Sequence, residues 1–325
     1  VKSRTYSFTR EKVVAEAERR GWHVRYFGPD DYFYEISTPD SRSCIFRGSM
    51  PQTSAWIGGH ISEHKLLSLE YLRHLGLMPP PFAIYTNDQD AEQFLRQYSP
   101  IVVKPEDSER SQGVTVNVTD MARLHEAVAI AREFSDQVIL QQQLEGKLYR
   151  LLAIGGKFCA AFARLPAFVL GDGLRTVQAL IVEKNTHPLR GSESTSPLKP
   201  IQLESAREYL AAHNQNLNDV PADGEMVVLS AIPHVSFGGE AADVTDLVHQ
   251  SYIKVVEQVA EKLQIVSCGF DLITPDIAQP HPTAIFPVLE FNALPGFRMH
   301  YYPTAGGEAR NVAATLLDTV FGSLA

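Results

Sequence analysis

Apolar and polar positions alternate along the chain in short blocks, and their spacing predicts a mixed succession of strands and helices. Residues 9–20 carry a helical pattern with Thr9 as its cap. Gly21 stops it, and alternating runs at 22–27 and 32–36 flank turn residues at 28–31. Residues 61–75 read as one helix, capped by Ser62, with Leu66, Leu67, Leu69, Tyr71 and Leu72 apolar and Lys65 in its first turn. After a stiff run of prolines at 79–81, the pattern gives a strand from Phe82, a helix over 91–98, a strand over 101–105 and a polar loop over 106–113. A strand at 114–118, an amphipathic helix at 121–134 and a strand at 138–144 follow. Gly155 and Gly156 punctuate a hairpin between 149–154 and 158–164. Residues 176–184 form a helix, and 187–224, rich in Pro, Ser, Asn and Asp, read as a long excursion rather than a domain. A strand at 226–232 leads into a glycine loop, SFGG at 236–239, whose adjacent glycines let backbone N–H groups approach a carboxylate or phosphate. A long helix capped by Thr245 ends near Leu263, and a helix over 308–321 closes the chain.

Two late segments carry candidate chemistry. The run VLEFNALPG at 288–296 is apolar except for Glu290, and Pro295 and Gly296 end it in a turn. Residues two apart on a strand share a face, so Glu290 and Asn292 project together. Upstream, IVSCGFDLI at 265–273 is apolar except for Asp271. Paired antiparallel, the two runs bring Asp271 and Glu290 to one point, where two carboxylates repel unless a proton or a metal lies between them. Two carboxylates and an amide oxygen suit a hard cation such as Mg2+. Lys104, ending the strand before a small polar loop with one glycine, is a way to hold polyphosphate, and a generic β-hairpin carries the same pattern. His60 and His64 are four apart with no third ligand following, and read as packing or surface histidines.

Composition narrows the classes. A chain of 325 residues with 44% hydrophobic content supports a full core. A net charge of -9 disfavours a nucleic-acid surface. Cys44, Cys159 and Cys268 show neither disulfide nor metal spacing, which suits a reducing, cytoplasmic setting. No apolar run approaches the ~20 residues of a transmembrane helix. The start at Val1 suggests a processed or trimmed chain.

The order VVKP (102–105), GVTV (113–116), YRLL (149–152), GDG (171–173), SFGG with DVT (243–245), GFD (269–271), EFNALPGFRMH (290–300) and RNVA (310–313) resembles the ATP-grasp superfamily. Within it the order is similar to the ATP-grasp portion of cyanophycin synthetases and to glutathione synthetase-type ligases, over residues 60–322. The resemblance implies an α+β, α/β-related ATP-grasp fold: two α+β subdomains gripping ATP, a lid over about 82–145 and a C-terminal subdomain over about 146–325. Together these make an ATP-grasp domain over 61–325, preceded by a short N-terminal α/β unit over 1–60.

It also implies roles. Lys65 and Lys104 would reach ATP phosphates, and Ser108, Ser111, Gln112 and Gly113 would form the phosphate-covering loop. Gln141, Gln142 and Leu144 would line the adenine hinge. Asp271, Glu290 and Asn292 would bind Mg2+, read as two ions with Mn2+ as a substitute. Arg150 and Arg164, with Lys104, would be catalytic cations for the γ-phosphate and an acyl phosphate, and Ser236, Gly238, Gly239, Arg298 and His300 would face the acyl substrate. Relatives carry glycines where this chain has Ser108 and Ser111, acids at Gln141 and Leu148, and an asparagine at His234. Cyanophycin synthetase also has a larger N-terminal region and a Mur-ligase-like domain without counterpart here, so one carboxylate joined to one amine is the economical reading. The implied activity is an ATP-dependent carboxylate–amine ligase acting through an acyl phosphate on small-molecule substrates, with a homodimer as the default assembly. A phosphotransferase and a non-catalytic nucleotide binder are the alternatives on the same scaffold.

Overall fold

The structure, a computed structural model, describes residues 7–28, 32–107, 112–281 and 285–322. The first helix, α1 (Phe8–Arg19), is capped by Ser7, whose hydroxyl accepts from the Arg10 N–H. Thr9, the expected cap, instead turns its hydroxyl to the Phe297 N–H at 3.0 Å. Four antiparallel strands follow in sequential order: β1 (His23–Phe27), β2 (Phe33–Ser37), β3 (Ser43–Arg47) and β4 (Met50–Pro51). The last two escape a sequence reading because β4 is two residues long and β3 runs three apolar residues together between Ser43 and Arg47 instead of alternating polar with apolar.

The helix expected over 61–75 is two helices, α2 (Trp56–Glu63) and α3 (Lys65–His74), broken where His64 adopts extended backbone. Ser62 is not a cap. It lies inside α2, donates to Gly59 O and accepts from the Ala293 N–H, pinning the end of the later strand that carries Glu290.

One antiparallel sheet comprises β5 (Phe82–Ile84), β6 (Ile101–Pro105), β7 (Thr115–Val118) and β8 (Val138–Gln142), in the order β5-β8-β6-β7. Helices α4 (Asp88–Tyr98) and α5 (Met121–Arg132) cover it, burying Phe94, Leu95, Leu124 and Val128 against Ile101, Val103 and Leu140. A second antiparallel sheet is built on the hairpin of β9 (Lys147–Ile154) and β10 (Lys157–Leu165), whose turn needs the positive φ of Gly155 (+61°) and Gly156 (+74°).

After β11 (Phe168–Leu170), α6 (Val177–Asn185) falls where a helix was expected. Within 187–224, read as an excursion, the structure adds α7 (Leu203–Ala212), and β12 (Met226–Val228) is a shorter form of the strand expected over 226–232. Val169, Ile181, Leu210 and Leu229 share a buried cluster. The polar composition of 187–224 hid the few apolar residues that pack.

The second sheet is completed by β13 (Glu240–Asp243), and then, after α8 (Gln250–Leu263), by β14 (Ser267–Thr274) and β15 (Val288–Asn292), in the order β13-β10-β9-β14-β15. His249, not Thr245, caps α8; Thr245 begins a separate 3-10 turn and accepts from the Ala161 N–H. Tyr252, Val256, Val259 and Leu263 recur at helical spacing and bury against one face of the sheet, each contributing roughly 1.5–3 kcal/mol. The chain ends in α9 (Arg298–Tyr301) and α10 (Val312–Phe321), the latter shorter than expected and capped by Asn311. α10, α1 and the first sheet form one core with Leu152, Ile154 and Ala160 on the opposite face. Among the described residues no helix is long and apolar enough to cross a membrane.

Candidate active site

The core strands bring the expected acids together as their spacing requires. β14 and β15 pair antiparallel with Asp271 opposite Glu290, while β9 on the other side sets Arg150 opposite Asp271. Asn292 lies two residues beyond Glu290, on the same face. Arg164, two residues past the Phe162 that pairs with Arg150, shares that face on β10.

Asp271 is buried and binds both arginines. Arg150 reaches it with two parallel bonds, Nε to Oδ1 at 2.6 Å and Nη2 to Oδ2 at 2.8 Å, and Arg164 Nη2 meets Oδ1 at 3.3 Å. Burial alone would raise the Asp271 carboxyl, but the two guanidiniums outweigh it and hold the group below the usual carboxylate range. Glu290 is pushed the other way, first by its recessed position and then by the Asp271 charge beside it. Neither arginine is an exposed edge charge.

Gly269 makes this arrangement possible. A Cβ there would stand 2.5 Å from Arg150 Nη1 and 2.9 Å from Pro295 Cβ. Gly269→Ala is therefore expected to displace the Arg150 guanidinium and lower turnover roughly 10- to 100-fold with the fold retained; steady-state rates beside a thermal melt check it.

Lys104 comes from the other sheet. It is buried, and its ammonium donates to Gln141 Oε1 at 2.8 Å. Burial lowers it to about 8, with the nearby Lys65 charge adding to the drop and Glu290 opposing it. The partner is a neutral amide, so no carboxylate offsets the ammonium at this contact. Lys65, first residue of α3, donates to Glu106 O at 2.7 Å, and the Glu106 carboxylate accepts the Leu66 N–H at the head of that helix. Sequence reasoning gave Glu106 no role; its position directly after the strand-ending lysine and proline was the available signal.

Gly113 packs tightly on Phe134 and Pro105, and Gln112 precedes it at the surface. Ser108 and Ser111 lie outside the described residues. Leu144 follows β8 in a segment without regular structure. The glycine loop departs from expectation. The Gly238 and Gly239 N–H groups donate within their own turn, to Val235 O and His234 O, so they are not the open donors that adjacent glycines suggested. His234 also caps this turn by accepting from the Ser236 N–H. Arg298 and His300 lie on α9; the His300 ring packs edge-on to Phe162 at 4.8 Å, and burial drives it down to about 3. Phe162 is a second contact that only the register reveals.

Seven buried side-chain polar atoms lack a hydrogen-bond partner among the described residues, and six belong to this region. They are Gln141 Nε2, Gln142 Oε1, Arg164 Nε, Asn292 Oδ1 and both ring nitrogens of His300. Native proteins seldom leave such atoms unmet; ordered water, an ion or a ligand commonly completes them. An orphaned amide oxygen beside two adjoining carboxylates fits an oxygen-seeking divalent cation. No cluster of three His, Cys, Asp or Glu side chains occurs among the described residues, in keeping with a set that has only two acids.

Two antiparallel sheets, one contributing a buried lysine and the other an acid pair with arginines, define an ATP-grasp architecture. The chain is an ATP-grasp protein, homologous to glutathione synthetase-type proteins and cyanophycin synthetases. It is 30% identical over 325 residues to the glutathione biosynthesis bifunctional protein of Mannheimia succiniciproducens, covering 97% of this chain and 42% of that one. It is 34% identical over 314 residues to the cyanophycin synthetase of Trichormus variabilis, covering 96% of this chain and 34% of the relative. The solved bifunctional glutathione synthetase of Pasteurella multocida superposes with a TM-score of 0.78 at 27% identity, over 98% of this chain and 44% of that one. The chain thus spans less than half the length of these relatives. No protein-family model matches it.

Proposed function

We propose that the chain is an ATP-dependent carboxylate–amine ligase of the cytoplasm, acting on small-molecule amino acids or short peptides and releasing ADP and phosphate. The observation that carries this reading is the grouping of unmet buried polar atoms around the Asp271, Glu290, Arg150 and Arg164 cluster. The names of the homologues, a glutathione biosynthesis protein and cyanophycin synthetase, support ligase chemistry.

In the first step a carboxylate oxygen attacks the γ-phosphorus of ATP, and the bond to the β–γ bridging oxygen breaks to release ADP. An amine nitrogen then attacks the acyl carbon of the mixed anhydride, and the tetrahedral intermediate expels phosphate as the nitrogen loses a proton. Such a sequence needs positioning and neutralised charge rather than a protein nucleophile. Mg2+ held by Asp271, Glu290 and Asn292, as two ions with Mn2+ able to substitute, would neutralise β- and γ-oxygens. Lys104 and Lys65 supply point charges to the phosphates, and Gln141, Gln142 and Leu144 offer the adenine edge. Arg150 and Arg164, held in place by Asp271, present guanidinium N–H groups to the transferred phosphoryl and to the acyl oxygen. Arg298 and His300 take the acyl substrate, with Ser236 contributing its hydroxyl; Gly238 and Gly239 shape the loop. Cys159 and Cys268 are raised by burial inside their strands and take no part.

The test is a trap. Hydroxylamine in place of the amine is expected to yield a hydroxamate of the carboxylate substrate, with one ADP per product. ADP formation with a stable phosphorylated product and no hydroxamate would replace ligation by phosphotransfer.

A further inference from the structure

Residues 1–60 carry no motif that specifies a reaction, yet their first helix grips the segment that bears Arg298 and His300. α9 is four residues long, too short to hold itself, so its placement depends on what it packs against. Thr9 Oγ1 accepts the N–H of Phe297, the residue before α9, at 3.0 Å, and Ser49 Oγ donates to Pro295 O at 3.1 Å. Phe8 is only 7% exposed, and its ring lies 5.3 Å from the Arg298 guanidinium and 5.3 Å from the Lys12 ammonium. Lys12 also covers the Tyr301 ring at 4.9 Å and donates to Tyr302 Oη at 3.2 Å. Farther along α1, Glu16 accepts from Asn311 Nδ2 at 3.2 Å, and Asn311 Oδ1 takes the Tyr301 hydroxyl at 2.7 Å.

We infer that α1 is a positioning element for the acyl-substrate side of the site: Phe8 aims the Arg298 guanidinium, and Thr9 fixes the backbone from which Arg298 and His300 project. This rests on the reading of Arg298 as an acyl-substrate contact. A guanidinium held over a buried ring gains about 0.5–2 kcal/mol in one direction, which is enough to set where its N–H groups point. The substrate's reacting carboxylate is committed to the γ-phosphate, so a substrate group that meets Arg298 is a second one. A dicarboxylic amino acid carries such a group and is the probe class.

The experiment measures KM for L-glutamate and L-aspartate with the full chain, by ADP release with hydroxylamine as acceptor, in wild type, Arg298→Ala, Phe8→Leu, Thr9→Val and the Phe8→Leu/Arg298→Ala double variant. Thermal melts accompany each. Phe8→Leu and Thr9→Val are each expected to raise the dicarboxylate KM about 3- to 10-fold, with kcat and the KM for ATP held within about twofold. The double variant is expected to match Arg298→Ala alone, because Phe8 acts through Arg298. If Arg298→Ala raises the KM while folded Phe8→Leu and Thr9→Val leave it unchanged, or if the double variant is additive, the positioning role is overturned. If Arg298→Ala itself has no effect, or neither probe supports turnover, the reading of Arg298 fails first and the inference with it. Phe8 and Thr9 act through different contacts, so a folding failure in one leaves the other to decide.

Discussion

Asp271→Asn is expected to lower turnover by about 10²-fold or more. The carboxylate does two things that an amide cannot. It supplies negative charge to a divalent cation shared with Glu290 and Asn292, and it anchors Arg150 through two parallel bonds and Arg164 through a third. Without that charge, two guanidiniums remain close together on one face with Glu290 as the nearest acid. Breaking a buried ion pair by removing one partner costs ~3–5 kcal/mol, so the variant should also melt earlier. The two effects separate in one experiment: at a temperature where the variant is fully folded, raising Mg2+ should not restore turnover if arginine placement is at fault, and should restore part of it if metal affinity alone is reduced. A folded Asp271→Asn protein with near wild-type rate would remove Asp271 from the site.

Lys104→Ala is expected to cost a similar ~10²-fold, with most of the loss appearing in kcat/KM for ATP. The same lysine gives the reaction a pH limb. In the protein without nucleotide its ammonium is lowered to about 8, first by burial and then by Lys65, and its hydrogen-bond partner is the neutral Gln141 amide. The protonated form is the one that binds phosphate. It predominates below pH 8 and is lost as pH rises through that value, so kcat/KM for ATP should fall above about pH 8. Saturating ATP stabilises the charged form, and the fall in kcat should move to higher pH. Gln141→Glu, which places a carboxylate against the ammonium, should shift the kcat/KM limb upward as well. A profile flat to pH 10 in wild type would contradict this role for Lys104.

The parts of the molecule legible in the sequence were those with a strong local signal. Asp271 and Glu290 each stand alone in an apolar run, and their antiparallel pairing follows from strand periodicity; the register places them directly opposite. The Gly155-Gly156 turn declared its hairpin in the same way. What could not be read was set by distant partners. Thr9 looked like a helix cap and serves Phe297, 288 residues away; Ser62 looked like a cap and serves Ala293. His64 breaks a helix whose apolar spacing runs through it unbroken, at the point where Glu106, just after β6, meets the new N-terminus. The glycines of the 236–239 loop advertised open N–H donors, but only the turn's own hydrogen bonds reveal that they are used. The 187–224 segment hid α7 and part of a packed cluster behind a polar composition, since a handful of residues such as Ile201, Leu210 and Leu217 suffices.

The central claim is condensation of a carboxylate with an amine at the expense of ATP. Its most direct measurement is ADP release from Mg2+-ATP across a matrix of amino acids and dipeptides, with mass spectrometry on every active mixture. The expected result is ADP that requires a carboxylate and an amine together, with a product one water lighter than their sum. ADP without such a product, or failure to bind ATP at all, would contradict the ligase reading.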